Sequence, residues 1–307
     1  FEVFTSLRYD PALLTCEENG HKDVSFGTPT PFYMIRLHRD RMFEAVLHFE
    51  FGAAVGLLAD GERLEETLLK EVKRWQRNEN ATDGALKIRI LFSKLGSMKV
   101  EISPVPPVPR WMLYPTTLNL TAQSKDMTRP TIPFTPSPRT GGALTLGSDD
   151  SLPNPTTTTS SGIPSPTWDL HLDSAPIPTS PFTTLKTTHR TFYNEARSRS
   201  LPDPSKQIDG APSAIVNHEV LLYDAQGIII EGSTTTPYFW RDGRWVTPDV
   251  GNAGEPVGKG GQRGTTRRWA LMKGLCEEKH VTQDSVKVGD EVWVSNGVRG
   301  FGLGRVV

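Results

Sequence analysis

Between Pro104 and Thr184 the sequence changes character, with proline, serine and threonine crowding runs such as Pro130–Pro138 and Thr156–Ser161. A segment of that composition has too little apolar surface to offset the entropy of ordering it. Compact domains do not normally carry a loop of that length, so the tract marks a boundary. The chain therefore reads as residues 1–115, an insertion over 116–182 expected to be disordered, and residues 183–307, with Trp111–Tyr114 and Trp168–Leu172 as apolar exceptions around and within the tract. With 307 residues and 36% hydrophobic content, the remaining material can bury a sizeable core.

A formal net charge of -1 removes any global electrostatic case for nucleic acid or an anionic membrane, so an anion has to be held by a local site. Only Cys16 and Cys276 occur, apart from any CxxC or His-rich neighbourhood, and neither a disulfide framework nor a metal site is expected. No apolar run is long enough to span a bilayer and no charged-then-apolar leader opens at Phe1, which sets the expectation of a cytoplasmic, reducing location without membrane contact.

Periodicity places the elements. Phe1–Tyr9 reads as a strand turning at Asp10-Pro11, and Leu86–Phe92 with Met98–Ile102 as an antiparallel hairpin with one wet face. Glu62–Asn78 carries Leu64, Leu68, Leu69, Val72 and Trp75 on one side of a helix. Phe32–Met42 leads into a second helical pattern bearing Arg36, Arg39 and Arg41; three such cations form either a solvated face or a set from which one arginine reaches inward to an anion. Beyond the tract, a helix is expected through Ala196 and Arg197 until Pro202 stops it, followed by hairpins over Glu219–Gly232 and around Asp242-Gly243, a type I′ turn pair. Strand-like Glu291–Ser295 comes last, before Asn296–Phe301.

Three features of this second part invite one explanation. Lys186 is a single amine among hydroxyl and aromatic residues just ahead of a helix, a setting that by itself is more often a surface charge. Glu231 closes an apolar strand and precedes Gly232-Ser233-Thr234-Thr235, where a plain solvated carboxylate is equally compatible. Gly264-Thr265-Thr266 opens a helix whose free N–H groups and positive dipole end suit a phosphate, although the same pair serves as an ordinary cap. Together, a lysine, a carboxylate and a phosphate cradle are what a pyridoxal phosphate enzyme has to supply.

In that order, Arg41, Lys186, Glu231-Gly232-Ser233-Thr234-Thr235 and Gly264-Thr265-Thr266-Arg267-Arg268, the chain resembles the fold-type IV pyridoxal phosphate enzymes, also called class IV aminotransferases. The opening Phe1–Tyr9, the Leu86–Ile102 hairpin, the Lys186–Arg197 stretch, Asp242–Pro248 and Ser295–Gly300 look most like the 4-amino-4-deoxychorismate lyase branch. The resemblance implies an α/β (α+β) fold of two domains, a smaller N-terminal α/β domain and a larger C-terminal domain with a barrel-like sheet, with pyridoxal 5'-phosphate between them and a homodimer as the usual assembly. It implies Lys186 as the aldimine lysine and general base, Glu231 as partner of the pyridine nitrogen, and Arg41 with the backbone of Thr265 and Thr266 on the phosphate. Asn296 and Gly297 fall where the family's last loop closes over cofactor and substrate, and Arg190 and Arg299 are candidates for substrate carboxylates. Tyr193 is placed either at the cofactor edge or in the core. The implied reaction on this small-molecule substrate converts 4-amino-4-deoxychorismate to 4-aminobenzoate, a folate precursor, and pyruvate; the alternative is a branched-chain or (R)-amine type aminotransferase. Two departures stand out: Thr236-Pro237 where the family often has Asn and an apolar residue, and a longer, glycine-rich approach to Gly264, which is expected to alter the phosphate loop.

Overall fold

The computed structural model describes residues 1–81, 83–119, 167–202, 217–251, 257–258 and 260–307. Most of the insertion, with Pro130–Pro138 and Thr156–Ser161, lies outside the described residues, as does Pro204. Two sheets organise the chain.

The first is antiparallel, in the order β1 (Val3–Tyr9), β2 (Leu86–Phe92), β3 (Met98–Pro104). Alternation divides its faces. Val3, Leu7 and Tyr9 join Leu86, Ile88 and Ile90 in a core that also holds Ile35 and Met42 from helix Ile35–His48, Leu58 from Gly52–Ala59, and Leu64, Leu68 and Val72 from Gly61–Glu79. The other face carries Phe4, Ser6, Lys87 and Arg89 and is left to line a cleft. The long helix starts where Asp60 accepts a hydrogen bond from the Arg63 N–H at 2.9 Å and ends at Asn80, whose φ of 48° is the left-handed closure that Asn tolerates.

The second sheet has eight strands in the order β6 (Ile229–Gly232), β5 (Asn217–Tyr223), β4 (Trp168–Leu172), β11 (Gly300–Val306), β10 (Glu291–Asn296), β7 (Thr236–Arg241), β8 (Arg244–Thr247), β9 (Glu277–Glu278). β4 runs parallel to both β5 and β11, β9 runs parallel to β8, and the remaining pairs are antiparallel. The sheet curls into a half-barrel, so that edge strand β6 approaches the segment after β9: Ile228 bridges Thr282, and the Ile229 N–H donates to the Val281 carbonyl at 2.8 Å. This mixed α/β architecture with a barrel-like larger sheet is the one the resemblance implied.

Two sequence features find their place in this sheet. Trp168–Leu172, the apolar exception within the 116–182 insertion, forms β4 in the middle of the large sheet. Trp168 and Leu170 are its buried face, and an isolated apolar alternation of five residues is enough when strands wait on both sides. Thr236-Pro237 does not prevent β7 from pairing with both β10 and β8, because Pro237 lies one residue inside the strand and its carbonyl still accepts from Thr247 Oγ1 at 3.0 Å. The Asp242-Gly243 turn has φ of 52° and 79°, the type I′ pattern that its sequence encodes. No helix among the described residues is long and apolar enough to cross a membrane.

Candidate active site

The free edge of β1 positions two of the candidate segments. Its Phe4 N–H donates to the Lys186 carbonyl at 3.1 Å, the Thr188 N–H donates to Glu2 at 2.9 Å, and Val3 bridges Thr187. Four residues along the same edge, the Arg8 N–H donates to the Gly297 carbonyl at 2.9 Å, and the buried Arg8 guanidinium donates to Val298 O at 3.4 Å and pairs with Asp10. One strand of the small sheet thus fixes both the candidate lysine and the last loop against each other. Between the two sheets opens a cleft of about 740 Å³, lined by Arg41, Lys186, Glu231 and Arg190 among others. Thr265, Thr266, Asn296, Gly297 and Arg299 line it too, so each candidate side chain read from the sequence reaches the same cavity. Tyr193 is the exception, buried behind it.

Around Lys186 the geometry is specific. Its Nζ donates to Gln262 Oε1 at 3.2 Å and lies 5.0 Å from the centre of the Phe4 ring. Desolvation, then the nearby Arg41 and Arg190 guanidinium groups, push its pKa well below that of a free amine, against the opposing pull of Glu231. Glu231 is buried in β6 and accepts a short hydrogen bond from the Tyr193 hydroxyl, which in turn accepts from Gln262 Nε2 at 3.2 Å. Burial raises its carboxyl to about 7, although Tyr193, Lys186, the Gln262 backbone and Arg190 all favour the ionised form. Gly261 makes this closeness feasible: a Cβ there would stand 2.6 Å from the Ile230 carbonyl and 2.9 Å from Glu231 Cβ. A weakly protonated amine and a proton-retaining carboxyl joined through one glutamine form a pair suited to moving protons on a bound ring system.

Of the three arginines in helix Ile35–His48, only Arg41 turns inward; Arg39 pairs with Asp40 at 3.0 Å and Arg36 with the same carboxylate at 4.0 Å. Arg41 donates to Thr5 Oγ1 at 2.6 Å, while its Nε is buried without a hydrogen-bond partner among the described residues. Helix Thr265–Met272 begins at Gly264 with no side-chain cap, which leaves its first amides open. Thr266 Oγ1 accepts from Ser295 Oγ at 2.7 Å and is also hydrogen-bonded to the Tyr238 hydroxyl, which fixes its side chain beneath the helix start. A buried guanidinium nitrogen and an uncapped helix N-terminus, both lacking an acceptor, are requirements a phosphate group meets, and these residues therefore fit the phosphate of a cofactor. Thr236 bears on this cradle as well: a Cβ on Gly264 would come within 2.7 Å of Thr236 Oγ1, so the threonine that departs from the family's usual residue packs directly beneath the loop.

Several participants escape a reading of the sequence. His38 sits one helical turn before Arg41, takes a 2.7 Å hydrogen bond at Nδ1 from Thr5 Oγ1, and places Nε2 3.4 Å from Thr265 Oγ1. Burial and the adjacent cations keep its ring neutral, with a pKa well below 6.5. Gly297 lies against it, since a Cβ would stand 2.4 Å from His38 Cε1. Asn296 builds the last loop, with Oδ1 accepting from the Val298 and Arg299 N–H groups at 3.0 and 2.9 Å. Of the two candidate carboxylate binders, Arg190 donates to the Ser233 carbonyl at 2.7 Å and Arg299 to Asn217 Oδ1 at 2.5 Å, the latter stacked on Trp168 at 5.2 Å. The i−3 spacing of His38 to Arg41 was the one available sequence signal; Gln262 offered none.

The Amino-transferase class IV family model matches residues 129–303. Aminodeoxychorismate lyase of Saccharomyces cerevisiae is 30% identical over 226 residues, which is 72% of this chain and 51% of that protein. A Schizosaccharomyces pombe relative is 31% identical over 137 residues, 43% of this chain and 52% of the relative, so the chain spans about half the length of the curated relatives it matches. Among solved structures, 4-amino-4-deoxychorismate lyase from Pseudomonas aeruginosa aligns with a TM-score of 0.52 at 14% identity, covering 99% of this chain and 82% of that one. A fold IV transaminase from Curtobacterium pusillum aligns with a TM-score of 0.51 at 12% identity, covering 99% and 78%. At these identities the structural likeness is one of fold.

Proposed function

Because this chain belongs to the class IV aminotransferase family, we propose that it is a pyridoxal phosphate-dependent aminodeoxychorismate lyase, acting as an enzyme that converts 4-amino-4-deoxychorismate to 4-aminobenzoate and pyruvate. The observation that carries the reading is the convergence of Lys186 and Glu231 on one cleft through Gln262, beside a cradle whose donors lack an acceptor. The likeness to the yeast lyase supports the branch, and the homodimer implied by the family remains part of the proposal.

Pyridoxal phosphate would supply an aldehyde for the Lys186 amine and a ring able to accept electron density. In this reading Arg41 and the amides of Thr265 and Thr266 bind the phosphate, and the Thr5 and His38 contacts hold Arg41 in place. Glu231, oriented by the Tyr193 hydroxyl, would hold a proton at the ring nitrogen of the cofactor. Lys186 Nζ is desolvated and surrounded by arginines, so it is available unprotonated to take the proton from the ring carbon of the substrate that bears nitrogen. The electron pair left behind expels the enolpyruvyl oxygen, the ring becomes aromatic, and protonation of the departing methylene carbon gives pyruvate.

Purified protein loaded with pyridoxal phosphate is expected to form 4-aminobenzoate and pyruvate in equal amounts from aminodeoxychorismate. Absence of the aromatic product, with brisk exchange of amino groups between an amine donor and a keto acid, would instead identify an aminotransferase.

A further inference from the structure

Behind the wall of the cleft lies a buried carboxylate that the reading above does not use. Glu219 of β5 is fully buried and stands outside the cavity lining. Donors surround both of its oxygens. Oε1 takes the Val220 N–H at 2.8 Å, the Ser233 hydroxyl at 2.5 Å and the Arg197 guanidinium at 3.4 Å; Oε2 takes the Thr234 N–H at 3.0 Å and the Thr234 hydroxyl at 2.6 Å. An amide in this place would turn its own NH₂ towards one of those sets of donors, so the arrangement calls for a carboxylate. Most of the donors belong to Ser233 and Thr234, in the turn that follows Glu231. Gly232 lets that turn close: its N–H donates to the Thr235 carbonyl at 2.8 Å, and a Cβ there would stand 2.5 Å from Thr235 Oγ1 and 3.1 Å from Glu219 Cγ.

The Ser233–Thr234 peptide carries this network to the cleft. In a trans peptide the N–H and the C=O point in opposite directions. The Thr234 N–H is turned to Glu219, so the Ser233 carbonyl is turned the other way, where it accepts from the Arg190 guanidinium at 2.7 Å. Arg190 also lies over the Tyr193 ring at 4.3 Å. From there it acts on Lys186: desolvation, then Arg41, then Arg190 lower the pKa of the amine, Arg89 adds in the same sense, and Glu231 opposes them. We infer that Glu219 is a positioning residue, which fixes the Ser233–Thr234 peptide so that its carbonyl anchors Arg190 beside the reacting amine. This assignment rests on the reading of Lys186 as that amine and adds the device that keeps a cation fixed next to it. Loss of Glu219 frees the peptide to turn and Arg190 to leave, and the sign of the consequence is diagnostic. Removing a nearby anion by itself makes an amine harder to protonate, whereas withdrawing Arg190 makes it easier.

The test follows the pH profile of Lys186 acylation by acetic anhydride in the cofactor-free protein, read by peptide mass mapping with the exposed Lys70 as internal standard. Only the unprotonated amine reacts, so the rate at a fixed pH below the midpoint, taken as a fraction of the alkaline plateau, reports its charge and cancels differences in access. In Glu219→Gln that fraction is expected to fall about 3- to 10-fold, the scale of withdrawing one charge from a partly desolvated amine. Arg190→Gln is expected to give a fall of the same size, and the double variant to fall no more than about twofold further. Glu219→Asp keeps the charge beside Arg197 and retracts it by one methylene; it is expected to move the profile in the same direction and decides the matter if Glu219→Gln does not fold. An unchanged profile in a folded variant, or one in which Lys186 reacts faster below the midpoint, would overturn the Glu219 assignment. The expected profile in a protein that forms no 4-aminobenzoate would uphold that assignment and overturn the lyase reading instead.

Discussion

Lys186→Ala is expected to lower turnover by about 10⁴- to 10⁶-fold, the scale that follows if Lys186 is, as proposed, both the covalent anchor and the base. The size follows from the isolation of that amine. Its hydrogen-bond partner is Gln262, which cannot take a proton at neutral pH, and the neighbouring Arg41 and Arg190 remain charged. His38, although neutral, is turned towards Thr5 and Thr265. Among the described residues no second base therefore stands ready to replace Lys186 in the part of the cleft where the substrate carbon would lie. The variant should still fold, because removing a half-buried amine whose charge is disfavoured by burial relieves a cost. A residual rate within about tenfold of wild type would mean that the proton is taken elsewhere.

Glu231→Gln comes second, with an expected loss of about 10²- to 10³-fold in kcat, comparable to removing one preorganised electrostatic group from an active site. Glutamine can still accept the Tyr193 hydroxyl hydrogen bond, so the change isolates charge from packing. The same variant has a signature in the cofactor-free protein. Burial raises the Glu231 carboxyl from 4.5 to about 7, so between those values the folded state binds more protons than the unfolded state. Stability must then fall as pH rises through that window, and the contribution present below about pH 4.5 is lost above about pH 7. Lys186 acts in the opposite sense: its lowered pKa makes stability rise with pH between its folded value and that of a free amine. The difference between wild type and Glu231→Gln in chemical denaturation, taken from pH 4.5 to 7, should therefore show the wild type losing on the order of 2–3 kcal/mol relative to the variant. Parallel pH profiles would mean that Glu231 is an ordinary ionised carboxylate.

Much of the scaffold was written in local pattern. The Leu86–Ile102 hairpin, the Asp60-capped helix and the Asp242-Gly243 turn follow from alternation, 3.6-residue spacing and positive φ, all of which are properties of neighbours in sequence. Arg41, Lys186, Glu231 and Thr265 could be named as candidates because a resemblance of ordered motifs linked them across more than two hundred residues, and the fold places them in one cleft. What stayed hidden was whatever depends on how separate segments meet. Gln262 touches Lys186 and Tyr193 only because Gly261 lets its loop press against β6, and no periodicity marks a glutamine for that contact. Trp168–Leu172 stood out from its proline-rich surroundings as an apolar exception, but its place between β5 and β11 depends on strands distant in sequence. Arg8 could be read as a strand residue, yet its buried hold on the last loop is a tertiary fact.

The central claim is that the amine of Lys186 carries the cofactor in this cleft, and borohydride reduction of the pyridoxal phosphate-loaded protein followed by peptide mass mapping tests it most directly. The expected result is a stable pyridoxyl mass on the peptide that contains Lys186, with no such mass in the Lys186→Ala variant. A pyridoxyl group fixed instead on Lys87 or another lysine of the wild type, or protein that takes up no cofactor, would contradict it.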